Sequence, residues 1–282
     1  MFRRVSIAVV VAALPAVSLA YDIKPKVPDT AFSKKTRPDI LGISADSSAA
    51  SAKAIFESAF KGRGKADVQE RKFGGTPVSY IAALVFTLPS DPKQTGEVLS
   101  SSFTSPASAN LAYFVSRNLT FALDQQPAKA EMVKQVMDKY GVPTIVGNQH
   151  LYYFYRAGSI MSVGAKYKEA AALEAIDKPL DPKTALKLND SNGRGSCVAV
   201  VKRSLAKDKT LDAMLNEAKG ANCDGAFSVE LTSGAAPDRV GNAQFTLMDF
   251  KRIVAATAID AEAIAAEQNE RNPQPKASAP KL

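Results

Sequence analysis

The chain has 282 residues, 46% of them hydrophobic, a formal charge of +8, two cysteines, one histidine and no tryptophan. That apolar fraction excludes a disordered chain and allows one large domain or two small ones. The charge excess is mild, with Lys and Arg scattered among Asp and Glu, so no basic stripe marks a nucleic-acid binder.

MFRRVSIAVVVAALPAVSLAYD reads as a secretory signal. Arg3 and Arg4 give the positive start, Val5 to Leu14 the apolar core, and Ser18-Leu19-Ala20 the small residues before a cut. Cleavage is expected after Ala20, with residues 1–20 as signal peptide and a periplasmic or secreted product. The apolar core is too short to span a bilayer core of about 30 Å, and no later stretch is long and apolar enough. Removing Arg3 and Arg4 lowers the charge of the remaining 262 residues to +6. In an oxidising compartment Cys197 and Cys223 form an even pair and predict a disulfide. Closing that loop would stabilise the fold by about 3.5 kcal/mol in the chain-entropy picture.

Residues 21–40, rich in Pro, Lys and Arg, predict an extended, solvated leader. Next, Asp46 or Ser47 can cap a helix that carries Ala52, Ile55, Phe56, Ala59 and Phe60 on one face and stops at Gly62. Strands are expected at Val78–Leu88, more weakly at GEVLSSSFTS, and at Leu111–Leu123. In the last of these, alternation predicts one face on a core, with Leu111, Tyr113, Val115, Leu119, Phe121 and Leu123 sharing a parity. Arg117 interrupts that face and is expected to snorkel at an edge or to pair with an acid.

Pro127 suits the first turn of a second helix. Its stripe is Met132, Val133, Val136, Met137 and Tyr140, and Gly141 and Pro143 end it. TIVG, LYYFYRAG and SIMSV then read as short strands, with Gly147-Asn148-Gln149 as a turn. Tyr153 and Tyr155 alternate with Tyr152 and Phe154. One pair should pack on the second helix and the other pair be exposed. His150, beside the turn, is expected to be solvated.

Residues 165–194 read as a linker or long loop, with a short helix at KYKEAAALEAI. Beyond it, SCVAVVKRSL is expected as a strand and KTLDAMLNEAKG as a helix. AFSVEL and AQFTLMD follow as strands, then FKRIVAATAIDAEAIAAEQ as a long helix, and residues 269–282 as a flexible tail. The fold class is therefore α+β: antiparallel sheets packed against amphipathic helices. The expected units are a helix-plus-sheet domain at 41–164 and a disulfide-stapled C-terminal α+β region at 195–268. That region is either separate or completes the first sheet.

A helix ending in YGVP, followed by a glycine turn and the aromatic run GNQHLYYFY, resembles the small helix-plus-sheet modules of the SmpA/OmlA envelope proteins and the beta-lactamase-inhibitor-protein fold. PDILGIS before a helix is similar in kind. The likeness covers residues 38–163, and the whole chain also resembles exported proteobacterial proteins of unknown function. The resemblance implies a non-enzymatic, protein-binding envelope role and identifies no binding residue.

Catalytic groups are sparse. No G-x-S-x-G elbow presents a serine to His150. Ser204-Leu205-Ala206-Lys207 matches S-x-x-K without the companion S-D-N and K-T-G elements. KGRGK at Lys61 to Lys65 lacks the phosphate-loop spacing and reads as a helix stop with a solvated basic turn. Asp260 and Glu262 are placed on a helix surface. Two sulfurs and one distant histidine make no metal site, and no cofactor motif is present. The expected function is a non-catalytic exported protein that binds an envelope protein or anionic envelope polymer. Tyr152, Phe154, His150 and Arg117 are the candidate binding residues. The alternative is a cell-wall-directed hydrolase using His150 or Ser204, and a small-ligand carrier with a pocket between sheet and helices is a third reading.

Overall fold

The computed structural model describes residues 23–146, 149–161 and 197–271. The expected signal sequence, the 165–194 segment and the tail from residue 272 onward lie outside the described residues.

The protein is α+β. Among the described residues nine strands form one antiparallel sheet. They are β1 (Lys65–Lys72), β2 (Ser79–Leu88), β3 (Gly96–Phe103), β4 (Ala112–Thr120), β5 (Ile145–Val146), β6 (His150–Arg156), β7 (Ser159–Ile160), β8 (Gly225–Ser233) and β9 (Val240–Met248). The spatial order is β1-β2-β3-β4-β9-β8-β6-β5, with β7 pairing to β6. The C-terminal hairpin β8–β9 therefore inserts between β4 and β6 and completes the sheet begun by the N-terminal strands. Helices α1 (Ala49–Phe60) and α2 (Lys129–Tyr140) bring apolar side chains to one face. Helices α3 (Cys197–Ala206), α4 (Leu211–Gly220) and α5 (Phe250–Arg271) cover part of the other.

On the first face Phe56 and Phe60 of α1 are buried, and Phe60 stacks on Phe86 with centroids 3.5 Å apart. Tyr140 of α2 meets Phe227 at 4.3 Å and Tyr153 at 6.3 Å. Tyr153 and Tyr155 are both buried on this face; Tyr153 packs on the second helix as expected, while the Tyr155 ring meets Phe32 of the leader at 4.8 Å. Ser48, rather than Asp46 or Ser47, caps α1: its hydroxyl accepts from the Ser51 N–H. The adjacent Ser47 and Ser48 offer equivalent capping chemistry, and Ser47 instead accepts from the Ser44 N–H.

Three expectations are corrected on the other face. SCVAVVKRSL is α3, not a strand. Its apolar run is β-branched, but Cys197, Val198, Val201 and Ser204 recur at helical spacing and are buried. Tyr152 and Phe154 are not exposed: each is 3% accessible, packed with α3 and α4 in a second core. Strand β4 is not half-buried. Tyr113 and Phe114 enter the second core while Ala112, Val115 and Leu119 enter the first, because helices stand on both sides of it.

The Cys197–Cys223 disulfide ties the start of α3 to the entry of β8. The leader is also not solvated throughout. Ala31 and Phe32 are buried, and the Asp249 carboxylate accepts from Thr30 Oγ1 at 2.6 Å and the Ala31 N–H at 3.0 Å. The same carboxylate accepts from the Arg252 N–H at 2.9 Å and so caps α5. Arg252, 1% accessible, donates onward to the Ala112 carbonyl and to Asp46. Burial pushes the Asp249 carboxyl up, against the pull of Arg252, the Thr30 hydroxyl and the two backbone donors. This buried pair staples leader, sheet and helix together.

Candidate binding cleft

Helices α4 and α5 stand over β4 and leave the outer strands β1–β3 uncovered on that side, which opens a cleft of about 440 Å³. Two bulges shape its floor. Between β1 and β2 the register shifts at Gln69/Glu70, so Ala82 is the extra residue. Between β3 and β4 Ser102 faces Phe114 while Phe103 faces Ala112, so Tyr113 is the extra residue. A bulge re-aims side chains. Here it turns Tyr113 from the parity of Val115 to that of Phe114 and into the cleft.

The floor is made of Tyr80, Ala82, Ala83, Ser102 and Tyr113, and Phe73, Leu211 and Ile264 form apolar walls. The Tyr113 hydroxyl donates to the Lys209 carbonyl, which fixes the loop before α4 against the sheet. Burial pushes both phenols up. For Tyr80 the fields of Asp260 and Asp212 add to the rise and Arg71 opposes it. Asp260 is the most constrained polar group. Its Oδ1 accepts from Ser105 Oγ at 2.6 Å and Ser108 Oγ at 2.7 Å. Burial raises its pKa, the two hydroxyls lower it, and Asp212 raises it again. Asp260 is thus not a helix-surface residue. It shares an inward stripe with Ile253, Ala256 and Ile264, at offsets of seven, four and four residues along α5.

Lys209 closes the rear of the site. Its ammonium donates to the carbonyls of Ser204, Leu205 and Lys207 at the end of α3 and lies 5.2 Å from the Phe114 ring. Burial lowers its pKa and Asp208 raises it.

The residues singled out from sequence do not gather here. Tyr152 and Phe154 are core. Arg117 pairs with Glu97 at 2.6 Å, one of the two outcomes expected for it. His150 is not solvated: its side chain is 29% exposed, stacked on Tyr152 at 5.3 Å, and its Nε2 lies 3.4 Å from Glu230. It lines a separate pocket of about 120 Å³ with Ser228, Gln244 and Thr246. Burial lowers its pKa, Glu230 raises it and Lys202 lowers it. Among the described residues no hydroxyl is hydrogen-bonded to His150; the Thr246 hydroxyl accepts from Gln244. Ser204 Oγ, on the buried face of α3, has no exposed surface and no hydrogen-bond partner among the described residues, so no substrate carbonyl reaches it there. Among the described residues no group of three His, Cys, Asp or Glu side chains is arranged for a metal, and no helix is long and apolar enough to cross a membrane.

The cleft residues had different visibility in sequence. Asp260 was accessible to a helical-period reading of α5. Arg71 was not, because β1 reads KADVQERK and all eight of its residues are exposed. Strand β1 forms by pairing to β2, not by burying a face. No family model, curated protein or solved structure matches this chain.

Proposed function

We propose that this chain is an exported, non-catalytic binding protein that holds part of another envelope component in the cleft between β1–β3 and α4–α5. The observation that carries this reading is the cleft itself: two phenols and a hydroxyl-bound carboxylate converge over a floor of small residues, bounded by apolar walls. Pockets of this kind bind ligands through apolar contact and use a few polar groups to orient them. A disulfide and the lack of a membrane-spanning helix among the described residues are compatible with export. An anionic envelope polymer is a less favoured partner, because Asp208, Asp212 and Asp260 offset Arg71, Lys72 and Lys209 and leave the cleft without a cationic surplus.

A thermal-shift screen of envelope-derived small molecules and peptides tests the site. It compares the wild type with Ala261→Trp, whose new ring enters the cleft from an exposed position on α5. Ligands that stabilise the wild type should leave the variant unmoved. Equal stabilisation of both proteins by every ligand found would move the site elsewhere.

A further inference from the structure

The β1 side of the cleft is cationic and the helix side acidic apart from Lys209, whose ammonium donates to carbonyls at the end of α3, and the two sides do not neutralise each other. Arg71 and Lys72 stand on the β1 side, and Asp212 and Asp260 on α4 and α5. None of the four forms an ion pair among the described residues. Elsewhere opposite charges within reach do pair, as Arg203 does with Glu217 and Arg117 with Glu97. The open cleft keeps these four apart. After burial, the strongest influence on the Tyr80 phenol comes from Asp260, opposed by Arg71, so both sides are felt at the middle of the floor. Asp260 has two hydroxyls on one oxygen, a like charge at Asp212 and no cation bound to it. A cation brought to it relieves repulsion and desolvation together. Arg71, exposed and free of internal bonds among the described residues, presents the fork geometry that suits a carboxylate.

Asp260 sits above the β3–β4 loop, through Ser105 and Ser108, while Arg71 lies on β1 opposite Tyr80. The separation is two to three strand spacings, about 10–14 Å. An extended chain of about three or four residues crosses that distance. We propose, resting on the reading of the cleft as a ligand site, that the ligand is a short peptide with free ends. Its α-ammonium lies against Asp260 and Asp212, its α-carboxylate against Arg71 and Lys72, and its small side chains over Ala82 and Ala83.

The test is calorimetric titration of the intact, disulfide-bonded protein with tetraalanine, its N-acetyl form and its C-terminal amide. The free peptide binds, and each blocked form binds at least about tenfold more weakly. Arg71→Gln binds free and amidated peptide alike, and Asp260→Asn binds free and acetylated peptide alike. Among the described residues the Arg71 side chain has no hydrogen-bond or ion-pair partner, so its variant tests the carboxylate end even if Asp260→Asn does not fold. Blocked peptides that bind as well as the free one would overturn the proposal. So would a lack of peptide binding alongside capture of another ligand that Ala261→Trp abolishes, although the cleft would remain a ligand site. If no ligand of any class is sensitive to Ala261→Trp, both readings fall.

Discussion

Tyr113 and Phe114, neighbours in the chain, bury on the same side of the sheet. In a regular strand they would point to opposite faces. The bulge opposite Ser102 and Phe103 makes the exception, and it supplies the cleft with a phenol that also holds the loop before α4. Tyr113→Phe removes only the hydroxyl and leaves the Lys209 carbonyl without this donor. We expect a loss of about 1–3 kcal/mol, the cost of a polar group left unsatisfied. Urea denaturation measures it. An unchanged midpoint would mean that solvent replaces the phenol at no cost.

The same bulge marks where sequence reasoning stopped. Alternation along β4 identified the strand and its Val115–Leu119 face, but parity arithmetic fails at an inserted residue, and nothing in the residue types around Tyr113 announces one. The helical stripes of α2 and α4 were legible because three or four apolar residues repeat at the helical period. For α3 that signal was outweighed by β-branched valines, and only packing against the disulfide and the Tyr152–Phe154 pair decides for helix. Which face of β6 is covered was equally invisible, since the covering helices lie far away in sequence.

Phe154 provides a direct check of that second core. It is 3% accessible and stacks beside Tyr152 at 5.6 Å. Phe154→Ala should cost about 3–5 kcal/mol through lost burial and the cavity left behind. A ligand-contact role without core packing would instead leave thermal stability within about 0.5 kcal/mol of wild type.

Removing the disulfide should loosen the same region. Cys197→Ser with Cys223→Ser frees a segment of sequence separation 26 that carries both α3 and α4. The expected loss is about 3–4 kcal/mol, by release of the constraint on the unfolded chain. Equilibrium denaturation with and without reductant checks it: reductant should lower the wild-type midpoint and leave the double variant unmoved.

Gly74 seats the β1–β2 turn on α5. Its φ is +51°, and an added Cβ would lie 2.6 Å from Ile264 Cγ1. Gly74→Ala therefore meets both left-handed strain, about 1–2 kcal/mol, and a clash that pushes the hairpin from the helix. Combining it with Ile264→Ala removes the clash but not the strain. The double variant should thus lose less than the sum of the two single losses, by at least about 0.5 kcal/mol, in a double-mutant cycle. Strict additivity would place the whole effect in the backbone.

His150 gives the fold a defined response to acid. Burial holds its imidazole below the ordinary 6.5, against the pull of Glu230, while Lys202 adds to the lowering. The unfolded chain takes up the proton as pH falls through 6.5 and the folded chain resists it. The unfolded state therefore binds more protons in the window below 6.5, and stability falls as pH drops. His150→Gln cannot take up that proton. Its stability should decline less steeply than that of wild type between pH 7 and pH 5, with the two curves separating as the pH is lowered. Parallel curves through that range would mean that the imidazole titrates alike in both states, as it would if Glu230 fully compensated its burial.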